Sequence, residues 1–206
     1  MLVFELCSRG EVFNLIEPRA GIRRDLLGPI YAQLIDAVTY LHTKGIAHLD
    51  IKPENMLLNH DGRLKLCDFG LSVLSEDGPL YSCRGSTGYA APENLKCHYA
   101  AVAKRAVQGY DPLKADVWSC GVVLFVLFYG YTPWDIAREA TPEYRLYKHT
   151  EGYPNSKPWT KMASVFRNLF HRYCMASLLV TRHRARRNAL GCICPPKCLR
   201  SSFLAC

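Results

Sequence analysis

Acidic residues run out before the end of this chain: after Glu151 there is no Asp or Glu, while Arg182, Arg184, Arg186, Arg187, Lys197 and Arg200 crowd the last stretch. The net charge of +8 is therefore a property of the tail. No aromatics interleave with those cations, so the tail is expected to be a solvated extension, and nucleic-acid binding is not expected. No basic stretch followed by an apolar run opens the chain. The longest nearly uncharged apolar run, 120–131, is shorter than the roughly 20 residues a membrane span needs. An intracellular protein with no membrane partner is the expectation. No internal repeat is visible. Paired C-x₂-C spacing is missing as well: Cys192, Cys194, Cys198 and Cys206 are irregularly spaced, which argues against zinc. Cys7, Cys67, Cys83, Cys97, Cys120 and Cys174 lie scattered through a stretch long enough to fold without staples, so reduced thiols are expected. What is present, 49% hydrophobic and 21% charged residues, suits a packed globular core.

Apolar periodicity places the main elements. Residues 2–6 (LVFEL) predict a short buried strand. Over 25–44, Leu26, Leu27, Ile30, Tyr31, Leu34, Ile35, Val38 and Leu41 recur at steps of three and four, which predicts an amphipathic helix with Asp25 as cap and Gly45 just past its end. Residues 56–58 and 64–66 are short apolar runs around a turn rich in Asn59, Asp61 and Gly62, the pattern of a β-hairpin. Residues 80–90 read as a loop, and 116–129, apolar on nearly every side, as a helix through the middle of a core. Weaker helices are predicted over 143–148 and 161–173, the second with Met162, Val165, Phe166, Leu169 and Phe170 on one face. Trp118, Trp134 and Trp159 are read as core residues. Periodicity stops after about Ser177.

The chemistry concentrates in His48-Leu49-Asp50-Ile51-Lys52-Pro53-Glu54-Asn55 and, across the hairpin, Asp68-Phe69-Gly70. A hairpin sends the chain out and back, so Asn55 before one strand and Asp68 after the other finish at the same open end. An amide oxygen and a carboxylate there suit Mg²⁺, a hard cation that fills its remaining positions with water and phosphate oxygens. Asp50 then stands where it can accept a hydroxyl proton, and Lys52 where it can neutralise charge on a moving phosphoryl group.

Together these residues resemble the eukaryotic protein kinases, matching the H-R-D-x-K-x-x-N catalytic loop, the D-F-G metal site and, at Ala91-Pro92-Glu93, the A-P-E that closes the activation segment. The resemblance spans Leu2 to about Tyr173. Lys52 in D-I-K-P-E-N is the form similar to serine/threonine kinases. Cys7-Ser8-Arg9-Gly10-Glu11-Val12-Phe13, Ile16-Glu17-Pro18, Trp118-Ser119-Cys120-Gly121 and Pro133-Trp134-Asp135 resemble the calmodulin-dependent-kinase group.

That resemblance implies a mainly α fold: a kinase C-terminal lobe with a small β-hairpin, its N-lobe missing, over residues 1–175, followed by a basic, cysteine-containing tail over 176–206 that is disordered or aberrant. It implies ATP and Mg²⁺ as cofactors and a protein serine or threonine as substrate, with the oligomeric state left open. Asp50, Lys52, Asn55 and Asp68 would be catalytic, Asn55 and Asp68 also holding the metal. Ser86 would bridge Asp50 and Lys52 in the substrate pocket. Phe4, Glu5, Cys7, Glu11, Glu54, Leu57 and Cys67 would form the nucleotide site, Phe4 as gatekeeper, the backbone of Glu5 and Cys7 on adenine, and Leu57 beneath it. Glu11 and Glu54 would also favour basic residues ahead of the phosphorylated hydroxyl. Asp116 would be the buried carboxylate that holds the catalytic-loop backbone.

The sequence departs from the pattern in several places. No Gly-rich loop, V-A-I-K lysine or partner Glu precedes Met1, so the chain alone is expected to be close to inactive. A non-catalytic scaffold or partner-binding fragment is the alternative function. Leu49 replaces the usual Arg, so no activation-segment phosphate is expected to be required. About seven extra residues lie within 96–108, with no function assigned. No Arg is found in the usual place to pair with Glu93 unless one of Arg182 to Arg187 serves. Both ends are expected to reflect a truncated or mis-spliced gene model.

Overall fold

The computed structural model describes residues 3–150, 154–155 and 157–179. Its first long element is helix α1, Arg24–Thr43, which buries Leu27, Ile30, Tyr31, Leu34, Ile35 and Val38 along the predicted stripe. Asp25 does not cap it. Arg23 occupies the cap position, and Asp25 lies within the first turn, where its carboxylate takes a bond of 2.6 Å from the Arg23 guanidinium and complements the positive helix end.

After α1 the chain makes strand β1, Ile46–Ala47, then β2, Met56–Leu58, and β3, Leu64–Leu66, and later β4, Val73–Leu74. The hairpin β2–β3 forms in the register Met56↔Leu66, Leu57↔Lys65, Leu58↔Leu64. Asn59 fixes its turn: the side-chain oxygen accepts from the backbone N–H of Asp61 at 3.0 Å and of Arg63 at 2.9 Å. The antiparallel pair β1–β4 was not foreseen, since two residues per strand are too few to show alternation.

Helix α2 covers Pro92–Val102, and α3, Pro112–Tyr129, runs through the core. Asp111 caps α3 by accepting from the Leu113 N–H at 3.0 Å, and Pro112 sits at the first helical position, where a missing N–H costs nothing. Among the described residues α3 is the one helix long and apolar enough to cross a membrane, longer than the uncharged run suggested, and 83% of it is buried inside the fold. Helix α4, Pro142–His149, follows, then α5, Ser164–Leu179. Helix α3 packs most extensively against α5, with Phe125 5.7 Å from Phe170 and Phe128 5.1 Å from Phe166 between ring centroids. Trp118, Trp134 and Trp159 are all buried, and Trp118 and Trp134 are in ring contact.

Two further predictions fail. Residues 3–6 form no strand, and Val3, Phe4 and Leu6 are each more than 80% exposed, 83, 82 and 82%. An extended segment needs a neighbour to satisfy its backbone, and none pairs with it among the described residues. Val165 lies outside the buried face of α5 at 37% exposure, while Met162, Phe166, Leu169 and Phe170 are buried. The basic residues from Arg182 onward, and Cys192, Cys194, Cys198 and Cys206, lie outside the described residues.

Candidate active site

The site begins at a buried carboxylate. Asp116, in the first turns of α3, is fully buried and accepts three bonds: from the His48 N–H at 2.8 Å, from the Leu49 N–H at 2.7 Å, and from the His42 ring at 3.0 Å. Two adjacent amides pulled toward one carboxylate turn the backbone sharply. Leu49 accordingly sits in the left-handed region, at φ 68°, rare for a residue with a branched side chain. The turn delivers Asp50 to the mouth of the loop.

Asp50 is 8% exposed and is held on all sides. The Ser86 hydroxyl donates to Oδ1 at 2.8 Å and the Ser86 N–H to the same oxygen at 3.0 Å. The Lys52 ammonium lies 2.8 Å from Oδ2 and 2.8 Å from the Ser86 hydroxyl oxygen, so Ser86 stands between the two charged groups. Asn55 Nδ2 donates to the Asp50 carbonyl at 2.9 Å and to Oδ2 at 3.1 Å. Burial alone would raise the Asp50 carboxyl, but the bonds from Lys52 and Ser86 outweigh it and hold it below the usual carboxylate range. The group is thus an anion at neutral pH, able to take up a proton.

With its nitrogen committed to Asp50, Asn55 keeps Oδ1 for another partner. The Asn55 carbonyl accepts from the Cys67 N–H at 3.0 Å, which places Asp68 one residue beyond the open end of the hairpin. Asp68 is also left-handed, at φ 62°, and exposed, its Oδ1 accepting from the Gly70 N–H at 3.3 Å. His48 ties the two loops together. Its Nε2 lies 3.0 Å from the Cys67 carbonyl and its ring packs 4.9 Å from that of Phe69. No group of three or more His, Cys, Asp or Glu side chains positioned for a metal ion is found among the described residues. The oxygen donors on offer are the Asn55 amide and the Asp68 carboxylate, a set that suits a hard cation and no soft one.

The other predicted positions divide into two groups. Glu11 bridges to Leu57 across the hairpin edge, and burial pushes the Cys67 thiol up, with the nearby Asp68, Cys7 and Glu11 adding to it. Cys7 turns its carbonyl to the Gly10 N–H at 3.1 Å. Phe4 stands apart, exposed, and the Glu5 carboxylate reaches the hairpin, 2.9 Å from Lys65 and 3.2 Å from Asn59. Glu54 Oε2 is buried without a hydrogen-bond partner, near enough to Tyr89 to add to the burial that raises its phenol.

Three contributors were missed from sequence. The His42 ring nitrogen hydrogen-bonds Asp116 from behind, and Asn94 and Tyr110 hold the segment that carries Ser86. Their partners lie 74, 10 and 28 residues away along the chain, so no local pattern marks them. All six cysteines among the described residues are free thiols.

Against this geometry the comparisons with known proteins are direct. A model of the protein kinase domain matches residues 1–189. The chain is 42% identical over 166 residues to the serine/threonine-protein kinase chk1 of Schizosaccharomyces pombe, covering 79% of this chain and 31% of that protein. It is 41% identical over 162 residues to CBL-interacting serine/threonine-protein kinase 9 of Arabidopsis thaliana, covering 77% and 33%. It is 37% identical over 177 residues to the serine/threonine-protein kinase CHK1 of Saccharomyces cerevisiae, covering 83% and 32%. The chain therefore spans about a third of the length of the curated relatives it matches.

Proposed function

The chain belongs to the protein kinase family, and from that premise we propose that it forms the hinge and C-terminal lobe of an ATP- and Mg²⁺-dependent kinase that phosphorylates protein serine or threonine. The observation that carries the proposal is the Asp50 carboxylate, held by Ser86, Lys52 and Asn55 at 2.8–3.1 Å and kept ionised. In this reading Asp50 accepts the proton of the substrate hydroxyl. Lys52 offsets negative charge on the transferred phosphoryl group, moving from Ser86 and Asp50 toward it. Asn55 Oδ1 and the Asp68 carboxylate would hold Mg²⁺, whose contribution when bound is to neutralise phosphate charge. Leu57, Cys67, Glu11 and the backbone of Cys7 line the space for the nucleotide, with Phe4 and Glu5 at its outer edge, and Glu54 faces the substrate side near Tyr89.

No Gly-rich loop or aligning lysine occurs in the 206 residues, and each preorganised charge contact is worth on the order of a hundredfold in rate. The chain by itself is therefore expected to transfer phosphate poorly. A second reading, a non-catalytic partner-binding module, is favoured by one observation: the apolar side chains of Val3, Phe4, Leu6 and Phe69 are exposed.

Joining the N-terminal lobe of the fission-yeast relative ahead of Val3 and measuring phosphate transfer to a serine peptide separates the two. The enzyme reading expects transfer that Asp50→Asn and Asp68→Ala each lower by about a hundredfold or more. A folded fusion with no transfer above those variants would leave the module reading standing.

A further inference from the structure

Helix α2 runs to Val102, and the residues after it return the chain to the segment that carries Ser86. There Leu80 and Tyr110 exchange both backbone bonds as an isolated antiparallel bridge, at 2.9 Å each way. The Tyr110 hydroxyl donates to the Ser82 carbonyl at 3.1 Å. Two residues on, the Arg84 N–H donates to Asn94 Oδ1 at 3.0 Å, and Asn94 Nδ2 donates back to the Arg84 carbonyl at 2.7 Å. The Cys97 thiol, one turn after Asn94 on α2, donates to the Gln108 carbonyl at 3.3 Å and so ties the returning loop to the same helix. Tyr110 and Asn94 are 4 and 2% exposed, which shields these bonds from water.

From Arg84 the chain passes directly over the catalytic loop. Gly85, at φ 88°, approaches so closely that a Cβ there would lie 2.2 Å from the Leu49 carbonyl oxygen, and Ser86 follows with its two bonds to Asp50. Behind Pro79 and Gly109 the structure opens into a cleft of about 670 Å³ bordered by Ser75, Gly78, Lys96, Gln108 and Lys114. Leu80, Cys83 and Tyr89 pack half-buried against the core, and the hydrogen bonds set where the segment lies over the catalytic loop.

We infer that Tyr110 is a positioning residue: through Leu80 and Ser82 it latches the segment that places Ser86 on Asp50, and it does so without a phosphate. This agrees with Leu49 standing where a phosphate-binding Arg would be. The latch is a matter of structure alone; its catalytic consequence rests on the kinase reading above.

Amide hydrogen exchange on the 206-residue chain reads the latch without nucleotide or turnover. Tyr110→Phe keeps the ring and the backbone pair and removes one hydroxyl, so exchange at Leu80 and Ser86 should quicken about fivefold to tenfold, the worth of one buried hydrogen bond. The amides of Val122 to Leu124 in the core should stay at the wild-type rate. Ser86 unchanged beside a faster Leu80 would overturn the inference, and so would equal quickening in the core, which marks lost global stability. Leu80→Pro deletes a bridge donor and should exceed Tyr110→Phe at Ser86; a wild-type rate there also overturns it. In the lobe-completed protein, Tyr110→Phe should lower kcat about fivefold with KM for ATP unchanged. An unaltered kcat removes the positioning role. If that protein transfers no phosphate even before substitution, the kinase reading fails while the exchange result still decides the latch.

Discussion

Replacing Asp116 by Asn removes a charge and half of an acceptor pair while leaving the shape of the side chain in place. The wild-type carboxylate serves the His48 and Leu49 amides through separate oxygens, at 2.8 and 2.7 Å, and the His42 ring as well. Asparagine offers one oxygen, and its NH₂ must face a donor. One buried N–H is left without an acceptor, at about 1–3 kcal/mol, and the surviving bond loses the extra strength of an ionic acceptor, about 1 kcal/mol. The expected loss is about 3 kcal/mol. For a chain of this size each kcal/mol lowers Tm by about 2–4 °C, so a fall of about 6–12 °C is predicted. Trp118, Trp134 and Trp159 are buried at 0, 2 and 4% exposure, so unfolding is followed by tryptophan fluorescence in urea or on heating. A loss below about 1 kcal/mol would refute the reasoning, because it would mean the loop turn at Leu49 stands without its carboxylate.

Ser86→Ala should destabilise the fold in a pH-dependent way. Burial raises the Asp50 carboxyl, yet the Lys52 and Ser86 bonds leave it depressed overall, so its contribution is complete above the unfolded value near 4 and is lost as pH falls through the folded one. The difference between Ser86→Ala and wild type in urea melts should therefore be largest above about pH 5 and shrink toward pH 3; a constant difference would contradict the assignment. Gly85→Ala combines an unfavourable left-handed φ with the overlap on the Leu49 carbonyl and should cost about 3 kcal/mol by the same melts. A neutral result would mean that the segment does not cross the catalytic loop so closely.

Legibility from sequence followed locality. The hairpin was readable because Asn59, Asp61 and Gly62 name the turn and two apolar runs flank it, and the observed register needed nothing further. Helix α1 was readable from its stripe, though not its cap, since Asp25 works equally well inside the first turn as before it. The chain reads as mainly helical, and the kinase family was legible from the ordered loop motifs. The segment at 3–6 misled because apolar residues report a preference for burial and not the presence of a partner. Left-handed Leu49 gave no warning, for a branched side chain disfavours that conformation, whereas at Asp68 an aspartate tolerates it. The contacts of Asp116 with His42, and of Tyr110 with Leu80 and Ser82, join positions tens of residues apart and become visible only once the chain has folded.

Helix α3 has a consequence for the order in which the polypeptide is made. Helix α1 and β1 are already made and cover one flank, but its main cover, α5, leaves the ribosome later, and at about 5–20 residues per second the nascent chain spends on the order of several seconds with the α5-facing side of an apolar rod as long as a bilayer span left bare. A holdase has that interval to bind it. Any shortened version for expression that stops before Ser164 would make the interval permanent, and should go to inclusion bodies or membranes instead of the clarified lysate.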